Sequence, residues 1–188
     1  MGDTMADELT DTTVAIFIAP QGTEQVEFTE PKDAVEDAGA SVDVISAETG
    51  EVQAVNNDLE PGDTFEVEQA FSEISADEYD ALLIPGGAVG ADKLRADENA
   101  VQIVREFAEA NKPIGVICHG PWTLVEADVV EGRTLTSYPS LQTDIRNAGG
   151  EWVDEEVVVD QGLVTSRNPD DLTSFCNKVV EEFEEGRH

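Results

Sequence analysis

Apolar residues are grouped along this chain in short continuous runs, which are separated by segments with helical spacing. A short continuous apolar run is typical of a strand that is buried on both faces of a sheet. The pattern predicts strands over residues 14–19, 41–45, 81–84, 113–117, 157–159 and 163–165. The last two flank Asp160-Gln161-Gly162, which favours a tight turn between antiparallel strands.

Helical spacing predicts helices over residues 26–38, 94–110 and 169–185, and a short helix through Leu124 and Val125. Pro31 interrupts the first helix and Gly39 ends it. Strands that alternate with helices form a mostly parallel sheet with helices on both faces. We therefore predict one doubly wound α/β domain over residues 13–186, which includes a small antiparallel hairpin between residues 48 and 74. Residues 1–12 are polar, acidic and aperiodic, which predicts a disordered arm.

Acidic residues dominate the composition. Among 188 residues, 42 are Asp or Glu and 10 are Lys or Arg, which gives a formal net charge of -32. Proteins that hold phosphates need Lys or Arg to replace the released counterions, so nucleic acid and anionic membranes are excluded as partners. The acids alternate with regularly spaced apolar residues, which indicates a folded domain with an acidic surface rather than disorder.

This surface resembles that of an extreme halophile's protein, because molar salt screens the repulsion among carboxylates. An acidic protein from an organism of ordinary salinity is the alternative. The sequence contains neither a secretion signal nor an apolar segment long enough to span a membrane, so we expect a cytoplasmic protein.

Cys118 is the first candidate for chemistry. It follows a predicted buried strand directly and precedes Gly120-Pro121, which suits the start of a helix. A nucleophile at such a turn is held clear of the sheet, and the positive end of the helix favours thiolate over thiol. The alternative is an ordinary buried cysteine at a strand end. Cys176 shares a predicted helix face with Leu172 and Val179, so we interpret it as a core residue and expect no disulfide.

Further polar and glycine residues stand at carboxyl ends of predicted parallel strands, where sites form in open α/β sheets. A carboxyl group at Glu24 could donate a proton to the Cys118 sulfur and stabilise its charge. His119 could act as a general acid or base, or face a partner subunit. The amides of His119 and of Gly86 or Gly87 could form an oxyanion hole for a carbonyl that Cys118 attacks.

Four motifs carry a resemblance to a known family. They are Glu24-Gln25-Val26-Glu27, Ile84-Pro85-Gly86-Gly87, Ile117-Cys118-His119-Gly120-Pro121-Trp122 and Thr136-Ser137-Tyr138-Pro139. In this combination, residues 14–183 resemble the PfpI-type intracellular proteases and stress proteins of the ThiJ/PfpI family, within the class I glutamine amidotransferase-like superfamily. The resemblance implies a flavodoxin-like fold and a Cys118 nucleophile, with His119 beside it and Glu24 holding the sulfur. It also implies homo-oligomers, from dimer to hexamer, with active sites near subunit contacts.

In archaeal members of that family, an acidic residue of the neighbouring chain completes a Cys-His-acid triad. Asp92 is the closest match by its place after the Gly-Gly loop, although the loop of residues 88–91 is one residue longer here and Asp is the shorter acid. The resemblance implies peptidase, deglycase or glyoxalase-like activity, in which a thiolate attacks a carbonyl, hemithioacetal or aminocarbinol carbon. The expected partners are small carbonyl adducts of glyoxal or methylglyoxal, or peptides.

Other site types fit the sequence less well. Residues 166–170 lack the histidine that a class I glutamine amidotransferase needs, and one internal histidine with two separated cysteines does not supply a zinc site. No phosphate-binding motif follows Gly86-Gly87, so we expect neither metal nor cofactor. The non-enzymatic alternative is a stress protein that acts as a chaperone for unfolded chains or senses oxidants through Cys118.

The charge leads to a prediction about reactivity. A surface at -32 opposes the formation of another anion at Cys118, and salt screens that repulsion. The rate of Cys118 alkylation at neutral pH should therefore rise as salt approaches the molar range. Peptide mapping separates this reaction from that of Cys176, and an unchanged rate in the folded protein would contradict the coupling.

Overall fold

A seven-stranded sheet forms the centre of the computed structural model, which describes residues 8–186. Residues 8–186 also form one sheet of two strands and one of three strands. The strands are β1 (Thr13–Phe17), β2 (Gln21–Glu24), β3 (Ser41–Ser46), β4 (Gly50–Asn56), β5 (Glu60–Val67), β6 (Gln69–Ala70), β7 (Ala81–Ile84), β8 (Ile114–Ile117), β9 (Thr134–Leu135), β10 (Glu151–Trp152), β11 (Val158–Asp160) and β12 (Leu163–Ser166). The α-helices are α1 (Gln25–Asp37), α2 (Ala88–Ala96), α3 (Glu98–Glu109), α4 (Pro121–Glu126), α5 (Gln142–Asn147) and α6 (Leu172–Glu185).

The central sheet has the strand order β11-β12-β8-β7-β1-β3-β6. Every neighbouring pair is parallel except β11 and β12, which are antiparallel. The predicted mostly parallel sheet and its antiparallel pair are therefore confirmed. The segment predicted as a hairpin forms the antiparallel strands β4 and β5, and β2 joins them as a parallel third strand.

Hydrophobic clusters cover both faces of the sheet because successive strand residues point to opposite sides. Phe17 of β1 belongs to one cluster with Phe107 of α3. Its neighbour Ile16 belongs to the opposite cluster with Phe28 of α1 and Phe175 of α6. The predicted coverage of both faces by helices is confirmed.

Several local predictions need correction. The helix predicted over residues 94–110 is two helices, because Asp97 interrupts it and accepts hydrogen bonds from the amides of Asn99 and Ala100 at the start of α3. The sequence pattern did not indicate β2, α5 or the β9–β10 pair. No helix in residues 8–186 is long and apolar enough to cross a membrane.

The prediction of a disordered arm over residues 1–12 is wrong for residues 8–12. Leu9 is fully buried, and its amide donates to the carbonyl of Ala38 at 2.7 Å. The carbonyl of Thr12 accepts from the amide of Ser41 at 3.0 Å. Residues 8–12 are therefore packed against the domain, and residues 1–7 lie outside the described part of the chain.

The strand order brings three loops together at one edge of the sheet. β7 lies between β1 and β8, so the segments that follow these three strands are neighbours. The amide of Glu24 donates to the carbonyl of Gly86 at 3.2 Å, which joins the first two segments. The third segment begins at Cys118.

Candidate active site

Cys118 lies in the turn between β8 and α4 with a φ of 64°. A positive φ is uncommon for a residue with a side chain, and it persists only where the surroundings hold the backbone. Here the Cys118 amide donates to the carbonyl of Ser166 at 3.0 Å, and its carbonyl accepts from the amide of Tyr138 at 2.8 Å. The backbone is thus held from two sides, and the residue is 6% exposed.

The amides near the sulfur differ from those expected at the helix start. α4 has only six residues, and the amides of Gly120, Trp122 and Thr123 donate to carbonyls of the same turn at 2.9, 3.1 and 3.0 Å. These amides are therefore not available to the sulfur. The amides that favour the thiolate of Cys118 and oppose the rise of its pKa belong to Gly87 and His119, two of the residues predicted to form an oxyanion hole.

Glu27 provides the carboxyl group that meets Cys118. It lies in the first turn of α1 and is 1% exposed. Its Oε1 accepts a hydrogen bond from the amide of Gly86 at 2.9 Å, so this amide is engaged by the carboxyl group. The carboxyl group also interacts with the Cys118 sulfur. Its Oε2 is buried and has no hydrogen-bond partner within residues 8–186.

The structure corrects the expected position of Glu24, which does not hold the sulfur. Its two carboxylate oxygens accept hydrogen bonds from the amides of Asn57 and Asp58, at 2.7 and 2.9 Å. Glu24 precedes the first residue of α1, whereas Glu27 lies within the helix. Both acids belong to the motif Glu24-Gln25-Val26-Glu27. If the start of α1 had been predicted at Gln25, Glu24 would have been placed before the helix and Glu27 inside it.

Gly86 permits the close approach of these groups. A Cβ atom at this position would lie 2.6 Å from Oε1 of Glu27, 2.7 Å from Cβ of Cys118 and 2.9 Å from the amide nitrogen of His119. Real Cβ atoms do not make such contacts, so any side chain here would displace the site. The glycine therefore allows the carboxyl group and the cysteine to meet around one loop.

Burial is the largest influence on the pKa values of Glu27 and Cys118. It raises the pKa of Glu27 to about 8, so the carboxyl group is largely protonated at neutral pH. Burial, together with the negative charge of an ionised Glu27, also raises the pKa of the Cys118 thiol, against the amides of Gly87 and His119. A protonated Glu27 exerts no such repulsion and can donate its proton in a hydrogen bond to a thiolate.

His119 completes the group on the side of the sulfur. Its Nδ1 lies 3.3 Å from Sγ of Cys118, and its ring stacks on Tyr138 at 4.5 Å between centroids. The ring also meets Trp122 edge-on at 5.2 Å. Burial lowers the pKa of His119, and the negative charge of Asp58 opposes that effect.

Asp92 lies on an exposed face of α2 and lines a groove of about 610 Å³ with Arg95 and Glu126. Within residues 8–186, no hydrogen bond joins it to His119 of the same chain. Its role in a neighbouring subunit's triad therefore stays a prediction.

The arrangement has the parts of a nucleophilic site. A strained cysteine meets a buried carboxyl group that can donate a proton, an imidazole that can exchange one, and two amides that can stabilise developing negative charge. The described residues contain no cluster of three or more side chains suited to hold a metal ion. The chemistry that these side chains support is attack by sulfur on an electrophilic carbon.

The raised pKa of Glu27 predicts how stability depends on pH. The unfolded chain loses this proton near the ordinary carboxyl pKa of 4.5, whereas the folded chain keeps it to about 8. Between these values the unfolded state binds fewer protons, so this group destabilises the fold by up to about 1.4 kcal/mol for each pH unit gained. Glu27→Gln removes that dependence. Denaturant unfolding should therefore show the variant gaining stability relative to wild type from pH 5 to 8, and a constant difference would contradict the assignment.

Comparison with known proteins places this geometry in a family. The model of the DJ-1/PfpI family matches residues 12–182. General stress protein 18 of Bacillus subtilis is 42% identical over 154 residues, 81% of this chain and 87% of that protein. Protein/nucleic acid deglycase 2 of Escherichia coli is 40% identical over 169 residues, 89% and 95% of the two chains. The crystal structure of Drosophila melanogaster DJ-1beta superposes with a TM-score of 0.82 at 27% identity, covering 92% of this chain and 90% of that one. The chain therefore belongs to the DJ-1/PfpI family.

Proposed function

We propose that this protein is a cysteine-dependent hydrolase that removes glyoxal and methylglyoxal adducts from amino groups. The observation that carries the proposal is the contact of Cys118, in its strained turn, with the carboxyl group of Glu27 and with Nδ1 of His119 at 3.3 Å. A sulfur so placed is a nucleophile for carbonyl and aminocarbinol carbon.

The narrow access to the sulfur supports a small reacting group. Cys118 and His119 are each 6% exposed. An adduct at the end of a lysine or arginine side chain can enter such a site end-on, whereas an extended peptide backbone needs an open cleft. The similarity to the deglycase of Escherichia coli supports the same choice of substrate class.

The first step transfers the adduct from nitrogen to sulfur. In a methylglyoxal adduct, the carbon that bears the hydroxyl group is bonded to the amine nitrogen. The imidazole of His119, 3.3 Å from the sulfur, takes the thiol proton of Cys118, and the thiolate so formed attacks this carbon. A carbon–sulfur bond forms, and the carbon–nitrogen bond breaks. The protonated imidazole of His119 gives its proton to the leaving amine. Glu27 keeps its own proton and supports the charge on sulfur before attack.

The second step releases the acid. In the hemithioacetal on Cys118, the proton of the sulfur-bearing carbon moves to the neighbouring carbon and the hydroxyl proton moves to the ketone oxygen. This converts the ketone into an alcohol and the carbon on sulfur into a thioester. Water then hydrolyses the thioester and frees lactate, or glycolate when the adduct came from glyoxal. The amides of Gly87 and His119, which favour negative charge on the sulfur, stabilise the oxyanion of this hydrolysis. No oxidant or reductant is consumed.

Release of lactate from methylglyoxal-treated amines tests the proposal. We expect the wild-type protein to release lactate and Cys118→Ala to fall to the rate of a protein-free control, because the nucleophile is lost. The protein-free control is essential, since methylglyoxal reacts reversibly with amines and thiols in solution. A peptide substrate assayed in parallel separates deglycation from proteolysis.

Equal lactate release by the two proteins would contradict the enzyme assignment. If Cys118→Ala also suppressed the aggregation of an unfolded client as well as wild type did, the non-enzymatic stress protein would be supported instead. Cleavage of the peptide without lactate release would retain the nucleophile but replace the substrate class.

A further inference from the structure

The tip of the β4–β5 hairpin is fixed beside the candidate active site. Asn57 and Asp58 have φ values of 53° and 64°, so the tip is a tight turn with two residues in the left-handed region. Their amides donate to the two carboxylate oxygens of Glu24, at 2.7 and 2.9 Å. Glu24 thus holds a strained turn in one place against the loop that follows β1.

The side chain of Asp58 connects this tip to the loop after β7. Its Oδ1 accepts a hydrogen bond from the amide of Ala88 at 2.8 Å. Ala88 is the first residue of α2, and the residue before the helix is Gly87, which has no side chain to cap it. Asp58 therefore supplies a cap from another element.

That loop is part of the active site. The amide of Gly86 donates to Glu27 at 2.9 Å, and the amide of Gly87 favours the thiolate of Cys118. Asp58 holds the residue that comes directly after this pair of glycines. Its carboxylate is thereby placed at the edge of the group formed by Cys118 and His119.

The charges around His119 come from several elements. Cys118 and Glu27 lie on its sulfur side, and Tyr138 stacks on its ring. Arg95 lies 5.6 Å from the ring centroid of Trp122, and the Trp122 ring meets that of His119 edge-on. The negative charge of Asp58 acts on His119 from the hairpin and favours the charged imidazole.

We propose that Asp58 is a positioning residue of this site, which holds the Gly86-Gly87 loop through the start of α2 and keeps a negative charge beside that loop. Both effects follow from one carboxylate that Glu24 keeps at the hairpin tip. The position and charge of Asp58 do not depend on the proposed function. Their effect on catalysis does, because in that mechanism the protonated His119 gives a proton to the leaving amine.

Titration of His119 tests the electrostatic part without any substrate. The chain has two histidines, and His188→Gln leaves His119 as the only imidazole for proton NMR. In this background, Asp58→Asn removes the charge but keeps an oxygen that can accept from the Ala88 amide. We expect the pKa of His119 to fall by about half a unit or more in Asp58→Asn, because an attractive charge is lost.

Glu60→Gln is the matched control, since it removes one exposed charge from the same hairpin without touching Ala88. It should leave the titration of His119 unchanged. An unchanged midpoint in Asp58→Asn, or an equal fall in Glu60→Gln, would overturn the proposal.

The positional part is tested by Asp58→Ala, which removes both the charge and the acceptor. The amide proton of Ala88 should exchange with solvent at least several-fold faster in Asp58→Ala than in Asp58→Asn, because only the latter retains an acceptor. Equal exchange in the two variants would contradict the tether. These readouts do not depend on lactate release, so failure of the proposed function and failure of this inference are distinguishable.

Discussion

Two groups that ionise to anions are buried against each other in this protein, and the site depends on how they share their protons. Glu27 is 1% exposed and Cys118 is 6% exposed, so little water is available to support two negative charges there. Burial raises the pKa of the Glu27 carboxyl group to about 8. A carboxyl group that is neutral at neutral pH is a hydrogen-bond donor, and the group beside it is the sulfur.

The fold brings these groups together through three neighbouring strands. β1 leads to α1 and Glu27, β7 leads to Gly86, and β8 leads to Cys118. Gly86 has no side chain, and its amide fixes one oxygen of the carboxyl group. The positive φ of Cys118 is maintained by backbone hydrogen bonds to two other segments. The site is thus formed by three loops at one edge of the sheet. The tip of the β4–β5 hairpin contacts this edge through the hydrogen bond between Asp58 and the amide of Ala88.

The sequence predicted the architecture well because the buried strands are continuous apolar runs with turn residues between them. It also identified Cys118, His119 and the two glycines, since their positions after strands can be read directly. It selected Glu24 instead of Glu27, because that choice depends on where α1 begins, and no side chain caps this helix start. Periodicity locates a helix but fixes its first residue only to within a residue or two. The role of Asp58 depends on contacts between segments distant in sequence, which no local pattern records.

The most direct measurement is the pH dependence of Cys118 alkylation in wild type and in Glu27→Leu, a variant of similar volume without a proton to donate. Peptide mapping follows Cys118 separately from Cys176. Below the Glu27 pKa of about 8 the carboxyl group is a neutral donor to the sulfur. In this pH range its loss makes the thiolate less stable, so the alkylation rate of Glu27→Leu should be about tenfold lower than that of wild type. A higher rate for Glu27→Leu below pH 8 would mean that wild-type Glu27 repels the thiolate as an anion there, and the account of this site would be wrong.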